Sequence, residues 1–303
     1  MSRVMLTGAT GFVGRHALTA LADAGHEVHA VARRRGADAD RVSWHEADLL
    51  AGCDVVRDIE PEVLVHLAWY AEHGMYWSSP ENVRWVEGSL ALLRAFAAAR
   101  GRRAVIAGTC AEYEWSRDLY PESAPLRPAT LYGAAKHGLH VVASAFLQQA
   151  EIELAWGRLF FLYGPHEAPE RFVPSLVRSL LAGEVAPMSD GEQRRDFLHV
   201  ADAGAAFAAL ADSSLTGAVN IASGDAVALR DLARQVASLA GDVDLLRIGA
   251  IPRRENEPPS LLADVSRLRE DLGWMPRIAL EDGLRDTVAW WRERSHAGGS
   301  ARP

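Results

Sequence analysis

The sequence predicts an α/β fold in which a doubly wound parallel sheet is followed by a smaller C-terminal lobe. Short apolar segments rich in strand-forming residues alternate with longer segments that carry apolar residues at three- and four-residue spacing. The first apolar segment also leads directly into a glycine-rich turn and a helical pattern. This alternation is typical of a parallel sheet that is covered by helices on both faces.

The strands and helices of the core follow one another between residues 1 and 165. The predicted strands are 3–6, 26–32, 63–68, 103–107 and 153–159, and the predicted helices include 14–24, 79–99 and 131–149. After Gly164-Pro165, proline- and charge-rich stretches interrupt shorter helices. We expect 166–193 and 223–294 to form the lobe, a segment near 194–222 to return to the core through a strand at 217–222, and 295–303 to be a flexible tail.

Composition argues against several classes of protein. The 303 residues are 49% hydrophobic, enough for a large core, and their formal net charge of -8 opposes a nucleic-acid partner. Cys53 and Cys110 are the only cysteines, and no short Cys or Cys/His spacing indicates a disulfide framework or a zinc site, so we expect reduced thiols and no metal. Because neither an export signal nor an apolar run of about 20 residues is visible, we expect a cytoplasmic protein with no membrane partner.

The turn after the first strand carries Gly8, Gly11 and Gly14, with Thr10, Phe12 and Val13 between them. Glycine removes the Cβ that would keep a pyrophosphate away from the backbone, and the following helix N-terminus offers unpaired N–H groups. A tight turn that binds nothing would use the same residues. The order of strand, turn and helix favours a Rossmann dinucleotide-binding domain.

The end of the second strand indicates which dinucleotide binds. Arg33, Arg34 and Arg35 stand where an acidic residue would hold the ribose of NAD, and a guanidinium suits a 2′-phosphate. This predicts NADP(H), with NAD as the second choice, although a solvated basic turn has the same appearance. Further on, Asp48 and Leu49 are placed to meet the adenine edge, or they belong to an exposed loop.

A second set of residues indicates hydride chemistry. Tyr132 and Lys136 lie four residues apart on one predicted helix, and an ammonium near a phenol lowers the phenol pKa so that it can act as acid or base. Thr109 follows the strand at 103–107, at the sheet edge where ligand crevices form in such folds. Taken singly, the Tyr and Lys could be surface residues and Thr109 a strand-end cap; together they predict a catalytic triple.

These motifs resemble a known family when they are taken in order. TGATGFVG, HLAW, GTCAEY, YGAAK, GRLFFLYGP, GEQRRDFLHV and LGWMP look like the extended short-chain dehydrogenase/reductase family, in its nucleotide-sugar epimerase, dehydratase and reductase branch. The resemblance implies that Tyr132 is the acid/base, that Lys136 tunes it and anchors the ribose, and that Thr109 is the catalytic hydroxyl. It further implies that Leu67 and Ala68 pack along the cofactor, and that a homodimer forms through helices that include 131–149.

The resemblance also predicts the substrate end of the site. Arg195 and Arg254 match arginines that meet the substrate diphosphate, although each could instead pair with a neighbouring acid such as Asp196 or Glu255. The aromatic stretch 69–77 is expected to wall the sugar, with His73 as a polar contact or an exposed loop residue. Three departures stand out: Phe161 and Trp85 occupy positions where relatives often have Asn, and Glu114 replaces a common Gly.

The function predicted is NADPH-dependent reduction of a keto group on a nucleoside-diphosphate-linked, 4-keto-6-deoxy sugar. A redox-neutral epimerase that keeps its dinucleotide bound would use the same residues. A 4,6-dehydratase is disfavoured because Cys110-Ala111 stands where such relatives carry an acidic pair. A non-catalytic NADP-binding regulator is the rival of another class, and the intact triple argues against it.

Overall fold

A computed structural model describes residues 1–253 and 257–299. The strands in chain order are β1 (Arg3–Thr7), β2 (Glu27–Ala32), β3 (Val42–Glu46), β4 (Val63–His66), β5 (Arg103–Thr109), β6 (Leu119–Tyr120), β7 (Glu153–Leu159), β8 (Phe161–Tyr163), β9 (Ala186–Met188), β10 (Arg194–His199), β11 (Gly217–Ile221), β12 (Ala226–Ala228), β13 (Leu246–Ile248) and β14 (Ser260–Ala263). The α-helices are α1 (Gly14–Asp23), α2 (Val55–Ile59), α3 (Glu81–Ala98), α4 (Leu131–Gln149), α5 (Phe172–Leu181), α6 (Val200–Asp212), α7 (Leu229–Ala240) and α8 (Leu280–Gly299).

Within the described chain, seven of these strands form the main sheet, in the spatial order β11-β7-β5-β4-β1-β2-β3. Every neighbouring pair is parallel. The strand order reverses between β1 and β4, and ligands of open α/β sheets bind outside the carboxyl ends of the strands at such a reversal. The predicted doubly wound fold is confirmed, and its topology places the crevice beside Gly8 and His66.

Alternation along β1 places a hydrophobic core on each face of this sheet. Val4 and Leu6 belong to the core beneath α1 and α6, whereas Met5 belongs to the core beneath α3 and α4. Successive side chains of a strand point to opposite faces, so a strand covered on both sides is apolar throughout. Each fully buried aliphatic side chain contributes about 1.5–3 kcal/mol to stability.

The lobe contains a second, smaller sheet ordered β12-β10-β14-β6, with β8 paired to β10. Its own core packs between α5, α7 and α8. The expected returning segment near 194–222 is corrected in one respect. Helix α6 packs against α1 and β11 pairs with β7, but β10 lies in the lobe sheet, because its edges are occupied by β8, β12 and β14.

Helix α8 runs to Gly299 and so includes the first part of the segment 295–303 that was expected to form a tail. Residues 300–303 lie outside the described part of the chain. Within the described ranges, no helix combines the length and the apolar composition needed to cross a membrane.

Candidate active site

A cavity of about 600 Å³ opens at the carboxyl edge of the main sheet. It extends from the glycine turn after β1, past the end of β5 and the start of α4, to β10 in the lobe. This volume is in the range of about 300–1,000 Å³ typical of small-molecule sites. The cavity therefore brings the glycine turn, the predicted catalytic residues and Arg195 together in one space.

The glycine turn leaves no room for side chains. A Cβ on Gly14 would lie 1.9 Å from the Gly8 carbonyl oxygen, and one on Gly8, whose φ is +73°, would lie 2.8 Å from the Ala68 nitrogen. Helix α1 begins here, and its N-cap Val13 makes no side-chain capping bond. Bare backbone at a helix start is the arrangement that suits a pyrophosphate, so the turn fits a dinucleotide.

The other predicted cofactor residues lie along the same sheet edge. Gly11, Phe12 and Leu67 line the cavity, together with the glycines and Ala68. Outside its lining, Thr10 is exposed and its carbonyl accepts a hydrogen bond from Arg15 at 2.8 Å.

The residues predicted to contact the adenosine part of the dinucleotide come directly after β2 and β3. Arg33 and Arg34 are exposed just after β2, and Asp48 is exposed while Leu49 is buried just after β3. Because β1, β2 and β3 are parallel neighbours, these residues lie on the same edge as the glycine turn.

Thr109 is held at the end of β5 by a buried carboxylate. Its hydroxyl accepts a hydrogen bond from the Ala111 nitrogen at 3.2 Å, and its own nitrogen donates to Glu112 at 2.8 Å, forming a capping box. The same Glu112 carboxylate accepts from Trp156 at 2.9 Å and pairs with Arg158 at 3.0 Å. Thr109 is thus both a cap and a cavity residue, and buried charges fix its position.

Tyr132 lies in the first turn of α4, half-buried in the cavity wall beside Thr109. Burial raises the pKa of its phenol above the ordinary value, and the neighbouring Thr109 side chain opposes that rise. The expected lowering of the Tyr132 pKa is therefore wrong in direction for this structure, because burial outweighs the groups around it. The phenol is therefore protonated at neutral pH.

Lys136 lies one turn further along α4 and is only 3% exposed. Its ammonium donates to the Ala107 carbonyl oxygen at 2.8 Å and lies 3.8 Å from the centre of the Trp69 ring. Burial lowers the pKa of Lys136 to about 7, and the Glu112 carboxylate opposes the fall. Desolvation disfavours the charged amine, which therefore changes its charge near neutral pH.

The aromatic stretch at 69–77 forms part of the cavity wall. Trp69, Tyr76 and Trp77 line it, and the rings of Tyr76 and Trp77 meet the Tyr132 ring edge-on at 4.9 and 5.8 Å. His73 lies in the same loop but is exposed and is not among the residues that line the cavity. The wall is thus aromatic rather than polar on this side.

Arg195 lines the lobe end of the cavity and is 4% exposed. It pairs with Glu257 at 2.8 Å, donates to the Pro258 carbonyl at 2.9 Å and lies 5.5 Å above the Phe161 ring. The ion pair is therefore inside the cavity and not with Asp196. Arg254 lies outside the described residues.

Sequence reasoning missed Arg171, the residue before α5. Its guanidinium lines the cavity and lies 5.8 Å from the centre of the Tyr76 ring. Arg171 belongs to none of the quoted motifs, and tertiary packing brings it to the site. Trp115, which also lines the cavity and packs edge-on against Trp77, lies just after the GTCAEY motif but carries no local signal of its own.

A group of donor atoms that could hold a metal ion lies behind the cavity, where one atom each of Glu112, His137 and His140 fall within 4.8 Å of one another. The Glu112 carboxylate already binds the buried Arg158 guanidinium. Burial and Arg158 together lower the pKa of His140 to about 4. A dication beside that guanidinium would be repelled, so Glu112 is better explained as the support of Thr109 than as a metal ligand.

Comparison with known proteins agrees with this site. The chain is 28% identical over 312 residues to UDP-glucuronic acid decarboxylase 1 of Xenopus tropicalis, covering 96% of this chain and 72% of that protein. It is 26% identical over 319 residues to UDP-glucose 4-epimerase of Mycolicibacterium smegmatis, covering 97% and 99%. The solved structure of MoeE5 in complex with UDP-glucuronic acid and NAD is 31% identical, with a TM-score of 0.86 over 96% of this chain and 99% of that one. Residues 4–222 match the model of the NAD dependent epimerase/dehydratase family. The chain therefore belongs to that family, the extended short-chain dehydrogenase/reductase enzymes that modify nucleotide-linked sugars.

Proposed function

We propose that the protein is an NADPH-dependent reductase of a keto group on a nucleoside-diphosphate-linked, 4-keto-6-deoxy sugar. The observation that carries this proposal is the meeting of Thr109, Tyr132 and Lys136 in one cavity that also contains the glycine turn. Tyr132 and Thr109 line the same cavity, so the Tyr132 phenol can donate its proton to the oxygen of a ketone bound there.

Reduction of a ketone to an alcohol needs one hydride and one proton. The nicotinamide cofactor, when bound, supplies the hydride. Tyr132 donates the proton to the ketone oxygen, and the Thr109 hydroxyl, fixed by its capping box, orients that oxygen. The Lys136 amine stabilises the phenolate that remains, because it lies one turn away and takes up a proton near neutral pH.

The other residues of the cavity favour interconversion of a ketone and an alcohol over the elimination of water from the sugar. Elimination of water from the sugar would need a further acid and base near the reacting carbons. Cys110 and Ala111 stand beside Thr109 in the lining, and burial raises the pKa of the Cys110 thiol to about 12. The carboxylate among the described lining residues is Glu257, which is paired with Arg195 at the lobe end.

The cofactor preference rests on Arg33 and Arg34. Both are exposed directly after β2, the strand beside the glycine turn, where a 2′-phosphate of NADPH would accept their charge-assisted hydrogen bonds. The structure of the relative MoeE5 contains NAD, so this preference is the part of the proposal most directly open to test.

We assign the substrate diphosphate to Arg195 and Arg171, with Arg254 as a further candidate. Both described side chains line the cavity: Arg195 lies over the Phe161 ring at the lobe end, and Arg171 lies over the Tyr76 ring of the aromatic wall. Two planar donor forks suit a diphosphate. Arg195 is paired with the Glu257 carboxylate at 2.8 Å, so a bound diphosphate would compete with Glu257 for the Arg195 guanidinium.

A redox-neutral epimerase is the second candidate, favoured by the UDP-glucose 4-epimerase relative that matches almost end to end. The same Tyr132 would then act first as base and later as acid, and the dinucleotide would stay bound between the two steps.

One experiment separates the two candidates. The purified protein is assayed for dinucleotide that it retains, for NADPH oxidation with a dTDP-4-keto-6-deoxyhexose, and for interconversion of UDP-sugar epimers without added cofactor. We expect NADPH oxidation, and a loss of about 10²–10⁴-fold in Tyr132→Phe with NADPH binding retained. The matched control is Tyr70→Phe, since Tyr70 is a tyrosine whose hydroxyl donates to Glu72 outside the cavity. Epimer interconversion with retained NAD would replace the reductase by the epimerase, and inactivity in both assays would refute both.

The proposal includes a homodimer. Val83 on α3 and Leu131, Val141 and Val142 on α4 are between 40% and 55% exposed, and the two helices pack side by side. Exposed aliphatic residues on adjacent helices are typical of an interface core. Light scattering of wild type and Val142→Glu tests this, and a wild-type monomer would overturn it.

A further inference from the structure

Lys136 is the only lysine among the 32 Lys and Arg residues of the sequence. A chain that otherwise uses arginine for every basic position has kept an amine at this one place. Arginine stays charged at any pH that a protein meets, whereas a buried lysine can change its charge. The amine at this position can therefore change its charge, and the groups around it decide that charge and the direction in which the amine points.

The face of the Trp69 indole is one of these surroundings. The Lys136 nitrogen lies 3.8 Å from the ring centre, well within the distance of about 6 Å at which an aromatic face attracts a cation. An ammonium has three N–H groups. One donates to the Ala107 carbonyl oxygen, and a second faces the Trp69 ring. The third remains for a ligand in the cavity.

Asn82 holds the indole in this place. It is fully buried in the first turn of α3, and its side-chain oxygen accepts the Trp69 indole N–H at 2.9 Å. Its side-chain nitrogen donates to the Tyr76 and Ser79 carbonyls at 2.7 and 2.9 Å. One amide therefore ties the ring above Lys136 to the loop that carries the aromatic wall, and Trp85 packs on the outer side of that ring at 6.1 Å.

We propose that Trp69 is a positioning residue for Lys136: its ring, oriented by Asn82, fixes the amine in the cavity wall and stabilises the ammonium form there. The proposal rests on the proposed function, in which this ammonium stabilises the Tyr132 phenolate.

Other charged groups near the amine do not replace the ring. His66 at the end of β4 hydrogen-bonds to Thr7 at 2.7 Å and Ser89 at 2.9 Å, and burial lowers its pKa to about 3, so it is neutral. The Glu112 carboxylate favours the ammonium form of Lys136, but it is already paired with the Arg158 guanidinium. Tyr132, one turn away on α4, is protonated at neutral pH.

The lone lysine permits a direct test. Protein grown on labelled lysine gives one lysine side-chain signal, and its NMR titration without added dinucleotide reports the pKa of Lys136. We compare wild type with Trp69→Met, which fills the space without a ring, and with Trp69→Phe, which keeps a ring. The control is Trp115→Met, which removes a cavity-lining indole that lies on Trp77 and not on Lys136.

The expected result is a pKa lower by about one pH unit in Trp69→Met, largely restored in Trp69→Phe and unchanged in Trp115→Met, since a desolvated cation–π contact has that strength. Reductive methylation of Lys136 should also become faster in Trp69→Met, because the amine loses its fixed place. A Lys136 pKa that is equal in Trp69→Met and wild type would overturn the proposal. If Trp69→Met does not fold, Trp69→Leu replaces it, and a Lys136 pKa that is equal in Trp69→Leu and Trp69→Phe would overturn the proposal.

These outcomes are independent of the proposed function. Failure of the wild type to bind any dinucleotide would refute the function while the titration still decides the role of Trp69. Conversely, an active enzyme whose Lys136 pKa ignores Trp69 would leave the function standing and refute this inference.

Discussion

Glu112→Gln tests whether a buried ion pair holds the end of β5 in place. Glu112 and Arg158 are 0% and 1% exposed and lie 3.0 Å apart. The glutamine keeps an oxygen for the Thr109 and Trp156 N–H groups, but it removes the charge and can turn an amide N–H toward the Arg158 Nε–H. Removing one member of a buried pair leaves an uncompensated charge, so we expect the free energy of unfolding to fall by about 3–5 kcal/mol.

Equilibrium unfolding in urea, followed by tryptophan fluorescence, measures this loss. The matched control is Glu281→Gln, which breaks a pair with Arg285 at 2.7 Å between side chains that are 70% and 54% exposed. An exposed pair of this kind is worth about 0–1 kcal/mol. The contrast between the two variants isolates burial, since both change Glu to Gln beside an arginine.

A double variant completes the test. Glu112→Gln with Arg158→Met removes the stranded guanidinium, so its loss should be smaller than the sum of the two single losses. Losses that add, or a Glu112→Gln loss below about 1 kcal/mol, would refute the argument that the buried charge pair fixes Thr109.

Three further predictions concern the glycine turn, the cofactor and Lys136. Gly14→Ala should abolish dinucleotide binding in a titration because its Cβ would lie 1.9 Å from the Gly8 oxygen, whereas Gly138→Ala on α4, with open space around it, should bind normally; equal binding would refute the close-packed turn. Arg33→Ala should weaken NADPH binding at least about tenfold more than NADH binding, because only NADPH carries the extra phosphate that a charge-assisted bond holds; equal weakening in calorimetry would refute the assignment. The pKa of Lys136 is about 7 in the folded protein and 10.5 as its ordinary value, so between these pH values the unfolded chain binds more protons and the free energy of unfolding should rise with pH. Lys136→Met should remove this part of the pH dependence when the free energy of unfolding is measured in urea at several pH values. An unchanged pH dependence would contradict the lowered pKa.

Much of the fold could be predicted because six of the seven main-sheet strands carry their own signal, whereas the edge strand β3, which has no fully buried residue, was not predicted. Segment 153–159 and helix 131–149 match β7 and α4 residue for residue, since their apolar periodicity is strong and their ends are marked. The short strands β9, β12 and β13 have three residues each and acquire their form from a partner strand, so no local pattern reveals them. The segment near 194–222 was expected to return to the core as a whole, and no strand at 194–199 was predicted, because the partners of β10 in the lobe sheet come from distant parts of the chain.

The candidate site also contains features that are local in the sequence and features that depend on tertiary packing. The glycine turn and the Tyr132–Lys136 spacing are local, and the structure brings both to the cavity. The pairing of Arg195 with Glu257 spans 62 residues, and Arg171 lies 5.8 Å from the Tyr76 ring although the two residues are far apart in the sequence. The direction of the Tyr132 pKa also depends on burial, which a sequence does not display.

The groups that set the chemistry of this cavity are largely behind its wall. Glu112 fixes Thr109 from the far side of β5, and Asn82 fixes the ring that covers Lys136 from the start of α3. Both are fully buried polar residues whose hydrogen bonds are satisfied inside the protein, and a half-satisfied buried network would cost more than an apolar core. Because such networks tolerate little displacement, Thr109 and the Trp69 ring beside Lys136 are each held in one geometry.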